Sequence, residues 1–255
     1  MSQIASTIIT DCSGINATDH VKMSDTRTNQ MGGQSVYINK VGTGAKFIFQ
    51  IKDVVVPFGI SSFQTEQTDT PPKLSIDVSF RDLDNNIKLA QFHRFVKELD
   101  DKIMNAACNG LLGATKSMEV VSELFRSTIR SDPNGKYSDT MKFNINAGGT
   151  GGTPTRLYND KKEEITLSQE SLTKGAKIDM IVEVGAVYII GKKNLGITWR
   201  VQQIRIKEMG DKLMDYAFID SEDENEDELK TINHLQSDTN GSYIDYITNH
   251  NEMNV

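Results

Sequence analysis

Between Arg126 and Lys207, cations and flat rings are interleaved: Lys136-Tyr137, Lys142-Phe143, Arg156 close to Tyr158, Tyr188 ahead of Lys192-Lys193, and Trp199-Arg200. The stretch holds 14 Lys and Arg against 8 Asp and Glu. Single-stranded nucleic acid calls for this combination. Cations follow the phosphates and rings stack on exposed bases, each stacked base being worth about 1–3 kcal/mol. On that reading Arg126, Arg130, Lys136 and Lys142 meet phosphates, and Lys192, Lys193, Arg200 and Arg205 form a second cationic rim. Tyr137, Phe143, Tyr188 and Trp199 are then the stacking platforms. The competing reading makes Phe143, Tyr188 and Trp199 core residues of strands and the lysines a solvated face, because aromatic side chains are mostly buried. Packing competes hardest at Trp199, which follows Gly196-Ile197-Thr198 in a strand pattern.

Catalytic signatures are sparse. Gly42-Thr43-Gly44-Ala45-Lys46 lacks the spacing of a phosphate-binding loop and precedes a strand pattern, so it reads as a turn. There is no Gly-x-Ser-x-Gly elbow and no His-Glu-x-x-His pair. Asp82 and Asp84 are the residues of an alternative, metal-dependent enzyme of nucleic-acid metabolism. Asp-x-Asp-Asn between a strand and a helix reads first as turn and capping chemistry. His20, His93, His234 and His250 do not stand at metal-ligand spacing, and Cys12 and Cys108 lie far apart, as suits a reducing compartment. A non-enzymatic protein without metal or cofactor is expected. No run of about 18 apolar residues predicts a membrane span, and Met1-Ser2-Gln3-Ile4-Ala5 does not open a secretory signal.

The charge is unevenly placed. Of the 255 residues, those from Asp220 onward carry ten acids against one lysine, a net of -9, and the remainder carries 27 bases against 25 acids, or +2. Asp220, Glu222, Asp223, Glu224, Glu226, Asp227 and Glu228 make a tethered polyanion. It suits competition with phosphates for a cationic groove at millimolar local concentration, and docking on a basic partner. A solubilising, disordered end is the plainer reading.

The elements that must position these residues follow from periodicity. Residues 1–34 are polar and read as a flexible arm with at most one short strand. Val36–Ile38, Lys46–Ile51 and Val54–Val56 have strand character. Leu74, Ile76, Val78 and Phe80 alternate with polar residues, as in a half-buried strand. Apolar residues then recur at helical spacing from about 87 to 109, closed by Gly110, and a second helix runs from about Ser117 to Phe125. Strands return at Thr140–Ile145, Ile165–Leu167, Ile178–Ile190 and Ile197–Ile206, with Gly148–Gly152 expected as a mobile hairpin tip. The order predicts a mainly β fold with an inserted helix: a closed or partly open barrel interrupted by a long helix over 35–219, followed by the tail of 220–255. A two-layer α+β sheet is the rival.

Several segments carry a resemblance. They are Val56-Pro57-Phe58-Gly59, Phe95-Val96-Lys97-Glu98-Leu99-Asp100, Phe125–Arg130, Lys136–Phe143 and Leu195–Ile204. In order and spacing, over about 46–207, they resemble the phage-type single-stranded DNA-binding proteins of large nucleocytoplasmic DNA viruses. The resemblance implies an OB-fold barrel, single-stranded DNA as ligand, and an acidic C-terminal region that recruits replication proteins. It also implies a role in viral replication or repair, in the cytoplasmic viral factory or nucleus of an infected eukaryotic cell. Residues 229–255 continue past the acidic run and contain Tyr243 and Tyr246, an aromatic docking end. A virion structural or scaffold protein stays open as a rival, and a homodimer through edge strands is compatible with either.

Overall fold

The computed structural model describes residues 8–29, 32–64, 72–148 and 152–210. The acidic segment, expected as a disordered tail, lies outside them. The described strands are β1 (Ile8–Ile9), β2 (Val21–Met23), β3 (Arg27–Thr28), β4 (Gln34–Lys40), β5 (Ile48–Val55), β6 (Ile60–Phe63), β7 (Lys73–Ser79), β8 (Phe125–Arg126), β9 (Ile129–Arg130), β10 (Thr140–Ile145), β11 (Arg156–Tyr158), β12 (Glu164–Ile165), β13 (Lys177–Ile190) and β14 (Asn194–Glu208). The helices are α1 (Ala17–His20), α2 (Ile87–Cys108) and α3 (Met118–Leu124). The fold is mainly β, and none of the described helices is long and apolar enough to cross a membrane.

Five strands close a ring. β5 meets β7 at Val55 and Ser79, and β7 runs antiparallel to β10 from Ser79 opposite Thr140 to Leu74 opposite Ile145. β10 lies parallel to β14 at Asn144–Arg200 and Ile145–Val201. β14 returns along the long β13 hairpin, and β13 pairs with β5 from Lys177–Val55 to Glu183–Ile48. This ring is an OB-like barrel, with α2 inserted between its second and third strands, and its closure replaces the two-layer alternative.

The helix fills the barrel because its apolar stripe matches the inward face of the strands. Asn86 caps α2, its side chain accepting a 3.1 Å hydrogen bond from the Leu89 N–H. Leu89, Phe92, Phe95, Val96, Leu99, Ile103 and Ala107 are buried. The Phe92 and Phe95 rings lie 5.3 and 5.1 Å from Phe49, and Phe92 lies 5.7 Å from Trp199. Phe143 completes the cluster, 6.2 Å from Trp199 and edge-on to it. Asp82 and Asp84 sit in the turn ahead of α2, where the Asp82 carbonyl accepts from the N–H groups of Asn85 and Asn86. No three His, Cys, Asp or Glu side chains among the described residues are grouped to hold a metal.

The N-terminal stretch differs from a loose arm. Residues 8–28 hold β1, α1, β2 and β3, and α2 ties them down. The Lys102 ammonium donates to the carbonyls of Ala17, Thr18 and Val21 at 2.7–2.9 Å, closing the C-terminal end of α1. Glu98 accepts from the Ala17 N–H at 3.1 Å, and Arg94 donates to the Cys12 carbonyl at 3.0 Å. A polar sequence hides this packing because the side chains of α2 bind backbone groups of the arm and only a few of its residues, Cys12, Ala17 and Val21, enter the core. The glycine segment also differs from a hairpin tip. β10 and β11 run along the same edge of β14, so the connection between them is not a hairpin, and residues 149–151 within it lie outside the described residues. It is pinched where the Asn146 N–H donates to the Thr155 hydroxyl at 3.0 Å and that hydroxyl donates to the Val201 carbonyl at 2.7 Å.

Trp199, the sole tryptophan, is 2 % exposed and Phe143 is fully enclosed. Trp199→Ala should cost about 3–5 kcal/mol in chemical denaturation. Native fluorescence should be blue-shifted and shielded from iodide; easily quenched emission would contradict this packing.

Candidate nucleic-acid interface

The last two residues of β10 pair in parallel with the middle of β14, and the chain between α3 and β10 fills the gap where the two strands part on the N-terminal side. Phe125 and Arg126 pair with Leu195 and Gly196 of β14, and Ile129 and Arg130 with Met141 and Thr140 of β10. Asp100 of α2 pins this wedge from inside. Its carboxylate accepts from the Thr128 N–H at 2.8 Å, the Thr128 hydroxyl at 2.6 Å and the Ser127 hydroxyl at 3.2 Å. Burial pushes the Asp100 carboxyl up to about 6, outweighing those hydrogen bonds. With Ile129 buried, Arg126 and Arg130 are left outside.

Arg126, Arg130, Lys142 and Tyr188 thereby line one open depression of about 270 Å³, with Asn144 and Thr198 on its walls. Lys142 is exposed and forms no ion pair among the described residues. Arg126 lies 3.4 Å from the Asn194 amide oxygen. Arg130 pairs with Asp77, whose carboxylate is buried beneath it. Tyr188 lies over Gly196, where an added Cβ would stand 2.5 Å from the phenol oxygen, so position 196 has no room for a side chain. Burial raises the Tyr188 hydroxyl above its ordinary range.

Register extends this face around the barrel. Ser61, Ser75, Asn144, Arg200, Glu183 and Ile48 stand opposite one another in turn on β6, β7, β10, β14, β13 and β5. Arg200 lines a second depression, of about 810 Å³, that shares Asn144 with the first. Beneath it the buried Glu183 carboxylate accepts from Lys46 and from the Gln202 amide, both at 2.8 Å, and stands 3.9 Å from the Arg200 guanidinium. Arg205 covers a third buried carboxylate, Asp179. Three arginines therefore pair with buried carboxylates, while Lys142, directly opposite Asp77 in register, forms no ion pair among the described residues.

The remaining expected residues divide. Lys192 and Lys193 form the turn of the β13–β14 hairpin, two rungs beyond Tyr188 and Gly196, with Gly191 and Lys192 both at φ 57°. Lys136 and Tyr137 lie on the β9–β10 connection, where Asp132 accepts from the backbone N–H groups of both. The Lys136 ammonium sits 5.2 Å over the Tyr137 ring, which is 68 % exposed. Phe143 and Trp199, expected as stacking platforms, are buried and present no ring at the surface. They face inward because Met141, Phe143 and Ile145 alternate with the outward Lys142 and Asn144, and Trp199 alternates with Arg200. Sequence reasoning missed Phe58 and Phe63, 68 % and 65 % exposed. Phe63 stands opposite Lys73 and shares the outward side with Ser61. The signal for Phe58 was its position between Pro57 and Gly59, a turn with no interior to receive a ring.

The model of one protein family matches residues 74–220, more than half of the chain. The chain belongs to DUF5871, a family of unknown function. The part matched to DUF5871 holds the wedge, Asp100 and the arginines of the face, whereas β1–β6, with Phe58 and Phe63, precede it. No curated protein matches the chain. Among solved structures, a single-stranded DNA-binding protein from bacteriophage Enc34 in complex with ssDNA is similar at 12 % identity and a TM-score of 0.42, over 76 % of this chain and 98 % of that one. Gp2.5, a single-stranded DNA-binding protein encoded by bacteriophage T7, is similar at 9 % identity and a TM-score of 0.44, over 68 % and 98 %.

Asp100 carries a pH signature. Its folded-state pKa of about 6 lies above the ordinary 3.8, so the folded chain takes up this proton first as pH falls. Stability from this group is present below pH about 4 and lost as pH rises through about 6. Relative to Asp100→Asn, the native chain should gain roughly 2 kcal/mol between pH 7 and pH 4. Parallel unfolding profiles for the two proteins would refute this.

Proposed function

We propose that this chain is a non-enzymatic, sequence-tolerant single-stranded DNA-binding protein. The observation that carries the reading is the outward face of β6, β7, β10 and β14. Lys73, Lys142, Arg126, Arg130 and Arg200 share it with the exposed ring of Phe63. In OB barrels the outer face of the second and third strands, with the loops joining strands one to two and four to five, is where oligonucleotides bind. Here those are β7 and β10, the β5–β7 connection bearing Phe58 and Phe63, and the Lys192-Lys193 turn. Rings stack on any base and cations track any phosphate, so such a surface binds without base readout.

The acidic segment from Asp220 to Glu228 supports a competing role. Arriving DNA displaces it from competition for the cationic face and frees it to recruit replication proteins. The sequence resemblance to the viral proteins supports a place in viral DNA replication or repair inside an infected cell.

Anisotropy of labelled oligo-dT with the full chain tests the ligand. Binding should be salt-sensitive. Arg126→Gln combined with Lys142→Gln should weaken it about tenfold and flatten its salt slope by about 1.4. Phe63→Ala should cost about 1–3 kcal/mol with the slope unchanged. Replacing the acids of 220–228 by amides should tighten binding. Absence of binding at low salt would end the proposal.

A further inference from the structure

The depressions on the barrel continue beyond the face already described. The one at Arg200 shares Ile181 and Gln203 with a third, of about 260 Å³, at Arg205. The third shares Gln50 with a fourth, of about 450 Å³, at the start of α2. Across β10, β14, β13 and β5 this track spans three strand spacings, roughly 15 Å.

The fourth depression is built differently from the others. Lys52 of β5, Lys88 in the first turn of α2 and Lys177 of β13 line it. None of these ammonium groups has an ion-pair partner among the described residues. The two carboxylates on its wall are engaged by cations that do not line it: Asp53 accepts from Lys207 at 2.6 Å, and Asp82 stands 3.7 Å from Arg81. Lys88 also faces the charge of Asp11 at longer range. Asp53 holds a left-handed φ of 57°, and its N–H donates at 3.0 Å to Asp179, the same buried carboxylate that anchors Arg205. The third and fourth depressions therefore share one anchor. The fourth has no aromatic residue on its wall, so it offers charge and amide groups and no stacking surface.

We infer that a single strand of DNA longer than the Arg126–Arg200 face follows this track and sets backbone phosphates against Lys52, Lys88 and Lys177. This rests on the ligand proposed above and lengthens its footprint. A backbone fits the pocket better than a nucleobase does, because the wall offers no ring to stack on. The linked depressions, with Arg200, then Arg205 and Lys162 on their walls, lead a strand already bound at Lys142 toward it.

The test compares oligo-dT of about 5 and about 16 nucleotides, the range occupied by single OB folds, on the full chain. Lys52→Gln/Lys88→Gln/Lys177→Gln should leave the short oligonucleotide unaffected. It should weaken the long one about tenfold and reduce its salt slope by about 2, since each single-strand phosphate contact contributes about 0.7. Equal loss at both lengths, or no loss at either, overturns the track. Tighter binding of the short oligonucleotide by the variant also overturns it, by showing that the chain's own acidic segment occupies the pocket. If the native chain binds neither length, the ligand itself is wrong, which is a separate failure. Thermal melts verify folding, and Lys88→Gln alone, expected to lower the long-oligonucleotide slope by about 0.7, keeps the test decisive if the triple variant does not fold.

Discussion

β5 and β7 meet at a single backbone rung, Val55 opposite Ser79, which leaves closure of the barrel to side chains. From α2, Phe92 and Phe95 pack on Phe49 of β5 and His93 packs on Phe80 just past β7, while Trp199 meets Phe92 and Phe49 and Phe143 meets Trp199. An aromatic cluster of this kind is close-packed and does not bend by small steps. The helix therefore fixes the spacing of the strands, and through Asp100 it also fixes the segment that fills the gap between β10 and β14. The outward arginines inherit their positions from an inward contact.

The outer face shows two ways of presenting positive charge. Arg130, Arg200 and Arg205 each stand over or beside a buried carboxylate, respectively Asp77, Glu183 and Asp179. Breaking such a pair strands a charge in a poor solvent, so these guanidiniums are held by the cost of leaving. Their planar forks keep donors for a second acceptor. Lys142 stands opposite Asp77, which Arg130 already engages, and has no ion pair of its own among the described residues, so it contributes charge without fixed direction. Part of the surface is thus oriented and part adaptable, which suits a polymer whose backbone geometry varies from base to base.

Much of this was legible in the sequence. The alternation from Leu74 to Phe80, the helical stripe from Ile87 and the strand Thr140–Ile145 all translate directly into elements. The same alternation already placed Phe143 with Met141 and Ile145 on one side, and Trp199 between Ile197 and Val201. Pairing each ring with its neighbouring cation set that rule aside. Adjacent residues of a strand face opposite ways, so Lys142-Phe143 and Trp199-Arg200 each divide between outside and inside. Two-residue strands such as β8 and β9 are too short to have a period, and the arm of 8–28 is held through backbone groups and a few small buried residues that composition does not show.

β10 and β11 lie along the same edge of β14 and are joined at the Asn146–Thr155 pinch. The pinch sets the ends of the connection, so the β10 and β11 registers on β14 are fixed outside it. Loop closure grows only slowly with length, about 0.6 kcal/mol for each doubling. The fold therefore contains an insertion point beside its Arg200 depression, where added residues would extend the working surface while the barrel beneath keeps its registration.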